Sequence, residues 1–181
     1  MVEDKFEELE TERLILRKIT DDDALMLYDN IYNNYEWYKF YYQLPFTSFE
    51  EYQKLVEKYK DWYEKGNHFR WGIVLKETKE MIGLVQLRSR DNLNNSCKIG
   101  YIISYKFTGN GYAKEAVEKI LDFGINKLGY HRIEALVVSE NKDSVKLAKS
   151  VGMTFESVKK ESYRIKDTYY DQDVYTLIKK N

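Results

Sequence analysis

Gly100-Tyr-Ile-Ile-Ser-Tyr-Lys-Phe-Thr-Gly-Asn-Gly-Tyr-Ala-Lys-Glu115 runs from a strand through a glycine-containing turn straight into a helix. Gly109 and Gly111 let the backbone turn sharply, so consecutive N–H groups can converge on one point at a helix N-terminus. That geometry suits phosphate oxygens, and Lys106 and Lys114 flank it. A P-loop would need G-x-x-x-x-G-K-[ST], which is absent. A Rossmann fingerprint would need a third glycine where Lys114 stands, and a βαβ unit where the chain has a meander. What remains is an x-x-x-G-x-A turn from Thr108 to Ala113, with a plain helix-starting turn as the alternative.

Outward from this loop the elements follow from periodicity. Leu14–Ile19 reads as a first strand, and Thr20-Asp-Asp-Asp-Ala caps a helix reaching about Tyr32. Ser48-Phe-Glu-Glu51 has capping-box spacing, so a helix is expected over 48–65, stopped by Gly66. Strands are expected at Phe69–Lys76, Met81–Arg90 and Ser96–Tyr105, separated by polar turns. Gly111–Leu128 is a helix with Ala113, Ala116, Val117, Ile120, Leu121 and Ile125 on one side. Arg132–Ser139 is a buried strand, and Asn141 caps a helix to Val151 that Gly152 ends. Residues 153–165 and 172–179 form an antiparallel pair joined by Lys166-Asp-Thr-Tyr-Tyr-Asp171. The order β-α-α-β-β-β-α-β-α-β-β is that of one mixed α/β domain.

Composition narrows the function. The 181 residues carry 29 basic and 30 acidic side chains, a balance that argues against a dedicated nucleic-acid binder. The balance is uneven along the chain. Residues 1–80 hold 12 basic and 18 acidic groups, and the remainder holds 17 and 12. Nine of the 17 tyrosines fall between Tyr28 and Tyr63. The single Cys97 can form no internal disulfide, no signal peptide opens the chain at Met1–Lys5, and no apolar run suits a membrane span. A cytoplasmic protein with no membrane or nucleic-acid partner, monomeric or homodimeric, is the expectation. His68 and His131 are isolated, so no metal is expected, and Cys97 reads as a small strand residue rather than a nucleophile.

The loop resembles the acetyl-CoA pyrophosphate loop of the GNAT N-acetyltransferases. The likeness continues through His131-Arg-Ile-Glu-Ala-Leu-Val-Val-Ser-Glu-Asn-Lys-Asp-Ser144 to Met153, and includes Glu10–Arg17 and Tyr170–Leu177. Together these resemble the RimJ/RimL-type branch. The resemblance implies a mostly antiparallel sheet that splays between the fourth and fifth expected strands, flanked by helices, with acetyl-CoA as acyl donor. It implies that the backbone of Ile102, Ile103 and Ser104 holds pantetheine and acetyl carbonyl, an N–H near Ile103 serving as oxyanion donor. Gly109, Asn110, Gly111, Tyr112, Ala113 and Lys114, with help from Lys106, would hold the pyrophosphate. Asn141 would contact the pantetheine arm, or serve only as an N-cap, or do both.

By the same resemblance, the reaction is direct attack of a primary amine on the thioester. The acceptor could be a protein N-terminus, a polyamine, an amino sugar or another small amine. The family's helix tyrosine is here Ala148 and its strand glutamate is Lys98, so both usual proton-handling groups are absent. Ser144 becomes the candidate for hydrogen-bonding the sulfur, and Glu134 and Glu161 are candidate bases whose alternative is a surface or structural role. Glu36-Trp-Tyr-Lys-Phe-Tyr-Tyr42 is too dense in aromatics to bury every ring, so part of it is expected to line a pocket for a cationic amine. The contrasting reading is a non-catalytic acyl-CoA-binding or sensing domain.

Overall fold

The computed structural model of the chain describes residues 6–42, 44–65 and 69–180. The expected N-terminal segment 1–5, the helix stop at Gly66 and the isolated His68 lie outside these residues. Eight strands form one sheet in the order β1-β2-β3-β4-β5-β6-β8-β7. They are β1 (Leu9–Glu10), β2 (Leu14–Arg17), β3 (Phe69–Leu75), β4 (Met81–Asp91), β5 (Ser96–Ile103), β6 (Arg132–Val138), β7 (Thr154–Ile165) and β8 (Thr168–Ile178). Every adjacent pair is antiparallel except β5 with β6, which is parallel. The sheet is thus mixed α/β and mostly antiparallel, as the sequence predicts.

Apolar residues on both faces of β3 and β4 require cover on both sides. On one face lie α4 (Tyr112–Asp122), which continues as a wider turn through Lys127, and α5 (Lys142–Ser150). Ala116, Val117, Ile120 and Leu121 of α4 pack there against Trp71, Val85, Leu87 and Ile99. The other face carries α1 (Ala24–Leu27, with helical turns on both sides), the single turn α2 (Tyr35–Tyr38) and α3 (Phe49–Lys65). Tyr32, Tyr38, Tyr52 and Tyr59 are buried together beneath these helices, with Leu84 and Ile102 of the sheet. Most of the tyrosine-rich segment is therefore core.

Several boundaries move, each for a local reason. β5 stops at Ile103 rather than Tyr105, because Ser104 accepts from Lys106 N at 3.4 Å and caps a tight turn over Tyr105–Phe107. The expected loop 166–171 is mostly strand. Only Lys166 and Asp167 turn, with Lys166 at φ 52° and its carbonyl accepting from Arg164 Nε at 2.7 Å. β1 and α2 escaped the sequence reading because two and four residues are too short to show a period.

The start of α1 is held by charge. Arg17 donates to both oxygens of Asp23 at 2.7 and 2.8 Å, and Thr20 adds its N–H and hydroxyl at 2.8 and 2.9 Å. Burial alone would raise the Asp23 carboxyl, but Arg17 and Thr20 outweigh it and hold the group below its ordinary 3.8. A depressed carboxyl contributes its stability above the ordinary value and loses it as pH falls through the folded one. Asp23→Asn should therefore cost about 1–3 kcal/mol in urea unfolding at pH 7. That difference should shrink on acidification below pH about 4, where the native carboxylate protonates.

Candidate active site

The β5–β6 ladder is short. Pairing runs from Ser96 opposite Arg132 to Ile99 opposite Ala135 and stops there. Gly100–Ile103 and Leu136–Val138 then diverge, and a cavity of about 720 Å³ opens between them. This splay falls between the fourth and fifth of the strands expected from sequence.

Register fixes which backbone groups face the gap. Ser104 N–H donates to Ile82 O at 2.7 Å, so along β5 the groups of Ser104, Ile102 and Gly100 turn toward β4. Those of Tyr101 and Ile103 turn the other way. On β6, Ser139 N–H donates to Asp171 O at 3.0 Å, so Val138 and Leu136 direct their groups away from β8 and into the gap. Two of the outward carbonyls are already engaged. Ile103 O accepts from the Trp37 indole at 2.8 Å, and Val138 O accepts from Asn141 N at 2.8 Å. The N–H groups of Tyr101, Ile103 and Val138 have no strand to pair with, so each wall is a sheet edge awaiting an extended chain.

At the open end of the gap stands the glycine turn. Gly109 and Gly111 adopt φ 79° and 80°, and Gly111 is the N-cap of α4 with no side-chain cap bond. The first N–H groups of α4 are left to face the cavity. Arg13 braces this turn. It donates to Asn110 O at 3.0 Å and to Glu115 at 2.7 Å, and lies 4.5 Å from the centre of the Tyr112 ring. Glu115 also accepts from Thr11 Oγ1 and Arg13 N at 2.5 and 2.9 Å. Against the cost of burial, these bonds hold its carboxyl below the ordinary value. Arg13 was not singled out in the sequence because its partners lie about a hundred residues away.

The expected site residues divide. Ile102, Ile103, Gly109, Gly111, Tyr112, Ala113, Lys114, Asn141 and Ser144 all line the cavity. Asn141 Oδ1 accepts from Ser144 N at 3.2 Å, so it is an N-cap as well as a wall residue. Ser144 Oγ lies 3.0 Å from the Tyr101 hydroxyl, whose pKa burial raises against the opposing bond to Ser144. Tyr101 was missed because it reads as an ordinary alternating strand residue.

Other expectations need correction in placement. Ser104 is buried and turned to β4, and Lys106 Nζ donates to Asn30 at 3.0 Å, away from the cavity. The Asn110 amide folds back on Phe107 O and Thr108 O. Glu134 is paired with Arg132 at 2.8 Å, and Arg132 also holds Glu156 at 2.7 Å. Glu161 is exposed at a break in the β7–β8 ladder, where its N–H donates to Asp171. Neither carboxylate lines the cavity. Ala148 is fully buried in the core, and Cys97 is buried with its thiol pushed up to about 12 by desolvation.

A second wall comes from the front helices and the sheet face beneath them. Glu36, Trp37, Phe40 and Tyr41 line it, as the aromatic density of 36–42 predicts. Beside them stand Gln86, Arg88, Tyr163 and Gln172. Of the acids among the described residues up to Glu80, only Glu36 reaches the cavity, and it is 70% exposed and bonded to Lys39 at 2.5 Å. The acidic balance of the front half is thus not gathered at the site.

Residues 13–154 match the acetyltransferase (GNAT) domain family. The chain belongs to that family. An uncharacterized N-acetyltransferase of Bacillus subtilis (strain 168), YoaA, is 33% identical over 94% of this GNAT chain and 96% of its own. A spermidine N(1)-acetyltransferase of Vibrio cholerae is 28% identical over 88% of this chain and 89% of its own. The solved structure of RimL, a ribosomal L7/L12 α-N-protein acetyltransferase in complex with coenzyme A, has a TM-score of 0.86. It covers 95% of this chain and 98% of that one, at 21% identity. The protein is therefore a GNAT acetyltransferase, and its likeness to RimJ/RimL-type proteins extends to the fold. No helix among the described residues is long and apolar enough to cross a membrane.

Proposed function

We propose that this acetyltransferase uses acetyl-CoA to acetylate a primary amine by direct attack on the thioester. The observation that carries the reading is the interrupted β5–β6 ladder ending at a glycine-turned helix N-terminus. Both parts fit the donor. An extended amide-bearing arm can pair with the unpartnered N–H groups of Tyr101, Ile103 and Val138, and a pyrophosphate suits the free N–H groups of α4. Acetyl-CoA supplies an activated acetyl group as a thioester.

The phosphate end belongs at the turn that follows Ile103, so the reactive end belongs toward the closed end of the gap. Tyr101 N–H is nearer that end than Ile103 N–H. It is therefore the better oxyanion donor, with Ile103 holding the arm. Ser144 and Tyr101 form a hydroxyl pair that can give a hydrogen bond, and then a proton, to the sulfur as the carbon–sulfur bond breaks. Neither Glu134 nor Glu161 is positioned to take the amine proton, which leaves this to water or to an amine that enters neutral.

Thiol release from acetyl-CoA across a panel of amines tests the reading. Turnover should appear with at least one primary amine. Ser144→Ala should lower kcat by about tenfold or more, as loss of a proton-handling group does, with a smaller change in acetyl-CoA KM. Binding of acetyl-CoA without turnover on any amine would instead favour the sensing domain.

A further inference from the structure

The front wall of the cavity holds three side chains whose donor ends have no acceptor among the described residues. Arg88 makes no hydrogen bond or ion pair with the described residues, and its Nε is buried without a partner. The Tyr41 hydroxyl is buried without a partner as well. Gln86 has its amide oxygen taken by Arg70, whose Nε and NH2 donate to it at 3.1 and 2.6 Å. The Gln86 Nε2 is thereby fixed as the donor end, and it lies beside Gly100, where a Cβ would stand 3.2 Å from it and 3.7 Å from Tyr41. Gly100 thus keeps open the floor between these groups.

Register places two of these donors on one face, and Tyr41 comes from the cover of that face. Arg88 and Gln86 alternate along β4, so their side chains project on the same side of the sheet, and Gly100 sits opposite Gln86. Lys98 sits directly opposite Arg88 and adds a second positive charge to that face. The carboxylate on this wall, Glu36, is mostly exposed and engaged by Lys39. A buried N–H of a guanidinium left without an acceptor is costly, and an anion that receives it recovers that cost.

Building on the acetyl-transfer reading, we propose that the acceptor is an amino acid-like molecule. Its carboxylate is received by Arg88, Gln86 and Tyr41, and its primary amine is thereby held near Tyr101 and the thioester. This replaces the pocket for a cationic amine expected from Glu36–Tyr42 with a wall that receives an anion. Trp37 and Phe40 complete the wall, so a side chain of moderate apolar size is accommodated.

The test uses matched sets, each an amino acid, its carboxamide and its decarboxylated amine, with spermidine alongside. Wild-type kcat/KM should favour the free acid by about tenfold or more within at least one set, the scale of a charge-assisted hydrogen bond. In Arg88→Ala that ratio should collapse to near one through a rise in KM, and Arg88→Lys should restore part of it. Preference for spermidine or for the decarboxylated amines would overturn the proposal. So would a ratio that survives in Arg88→Ala.

Trp37 fluorescence in the coenzyme A complex gives a readout without turnover. Saturable amino acid binding that disappears in Arg88→Ala upholds the carboxylate subsite even if no amine is acetylated, in which case it is the transfer reading that fails. No binding of any free acid to the wild-type complex, together with no acetylation of one, overturns the subsite. Acetyl-CoA affinity measured on each variant separates loss of the subsite from loss of the cavity.

Discussion

Valine in place of Gly111 should raise the acetyl-CoA Kd by about a hundredfold or more while leaving most of the fold intact. Gly111 holds φ 80° at the N-cap of α4, a conformation that costs an ordinary L-residue about 1–2 kcal/mol and a β-branched one more. A Cβ there meets only Arg13 NH2, at 3.4 Å, which is an ordinary contact. The protein itself therefore does not forbid a side chain. The backbone does, and a turn that relaxes toward negative φ rotates the N–H groups that face the cavity. Arg13 and Glu115 then brace the wrong conformation. Calorimetric titration with acetyl-CoA measures the loss, and far-UV circular dichroism with a thermal melt shows that α4 and the sheet persist. Gly109→Ala offers a graded comparison. It has the same sign of φ at 79° and nothing within 4 Å of a built Cβ, so strain acts there without contact. Unchanged affinity in Gly111→Val would refute the assignment of this loop to the pyrophosphate.

The glycine turn was legible from sequence because its requirement is local. Only glycine tolerates φ near 80° cheaply, so two such residues between a strand and a helix mark a sharp turn that suits an anion site or a plain helix start alike. The strands were legible for the same reason, as short β-branched runs with polar breaks. What the sequence could not show is partnership. Leu84-Val85-Gln86-Leu87-Arg88 reads as plain alternation, and nothing local reveals that Gln86 is turned by Arg70 or that Arg88 is left without a carboxylate. Glu134 drew interest as a carboxylate on a central strand, yet Arg132, two residues earlier on the same face, claims it. Charge totals along the chain do not show partnership either. Lys106 of the basic half turns to Asn30, and Tyr32, Tyr38, Tyr52 and Tyr59 of the acidic half pack on one another instead of facing a ligand.

The gap between β5 and β6 also depends on a contact from the opposite side. Gly83 on β4 sits across from Ile103, and a Cβ built there would lie 2.4 Å from Ile102 O and 2.9 Å from Ile103 Cα. Both are backbone atoms, so no side chain can rotate aside to make room. Gly83→Ala must push β5 away from β4 by several tenths of an ångström, at the residues whose outward groups line the gap. The expected cost in stability is about 1–3 kcal/mol, typical of an overpacked core. The expected cost in kcat/KM is about tenfold or more, because a full ångström of displacement of positioned groups is enough for about a hundredfold. Gly72 supplies the control. A Cβ there would lie 2.4 Å from Met81 Cε and 2.8 Å from Met81 Sδ, on a flexible side chain that can move. Gly72→Ala should therefore lose some stability and keep most of its turnover. If Gly83→Ala instead loses stability and activity in the same proportion as Gly72→Ala, the close approach of β4 is packing alone and does not set the position of the Ile103 and Tyr101 N–H groups.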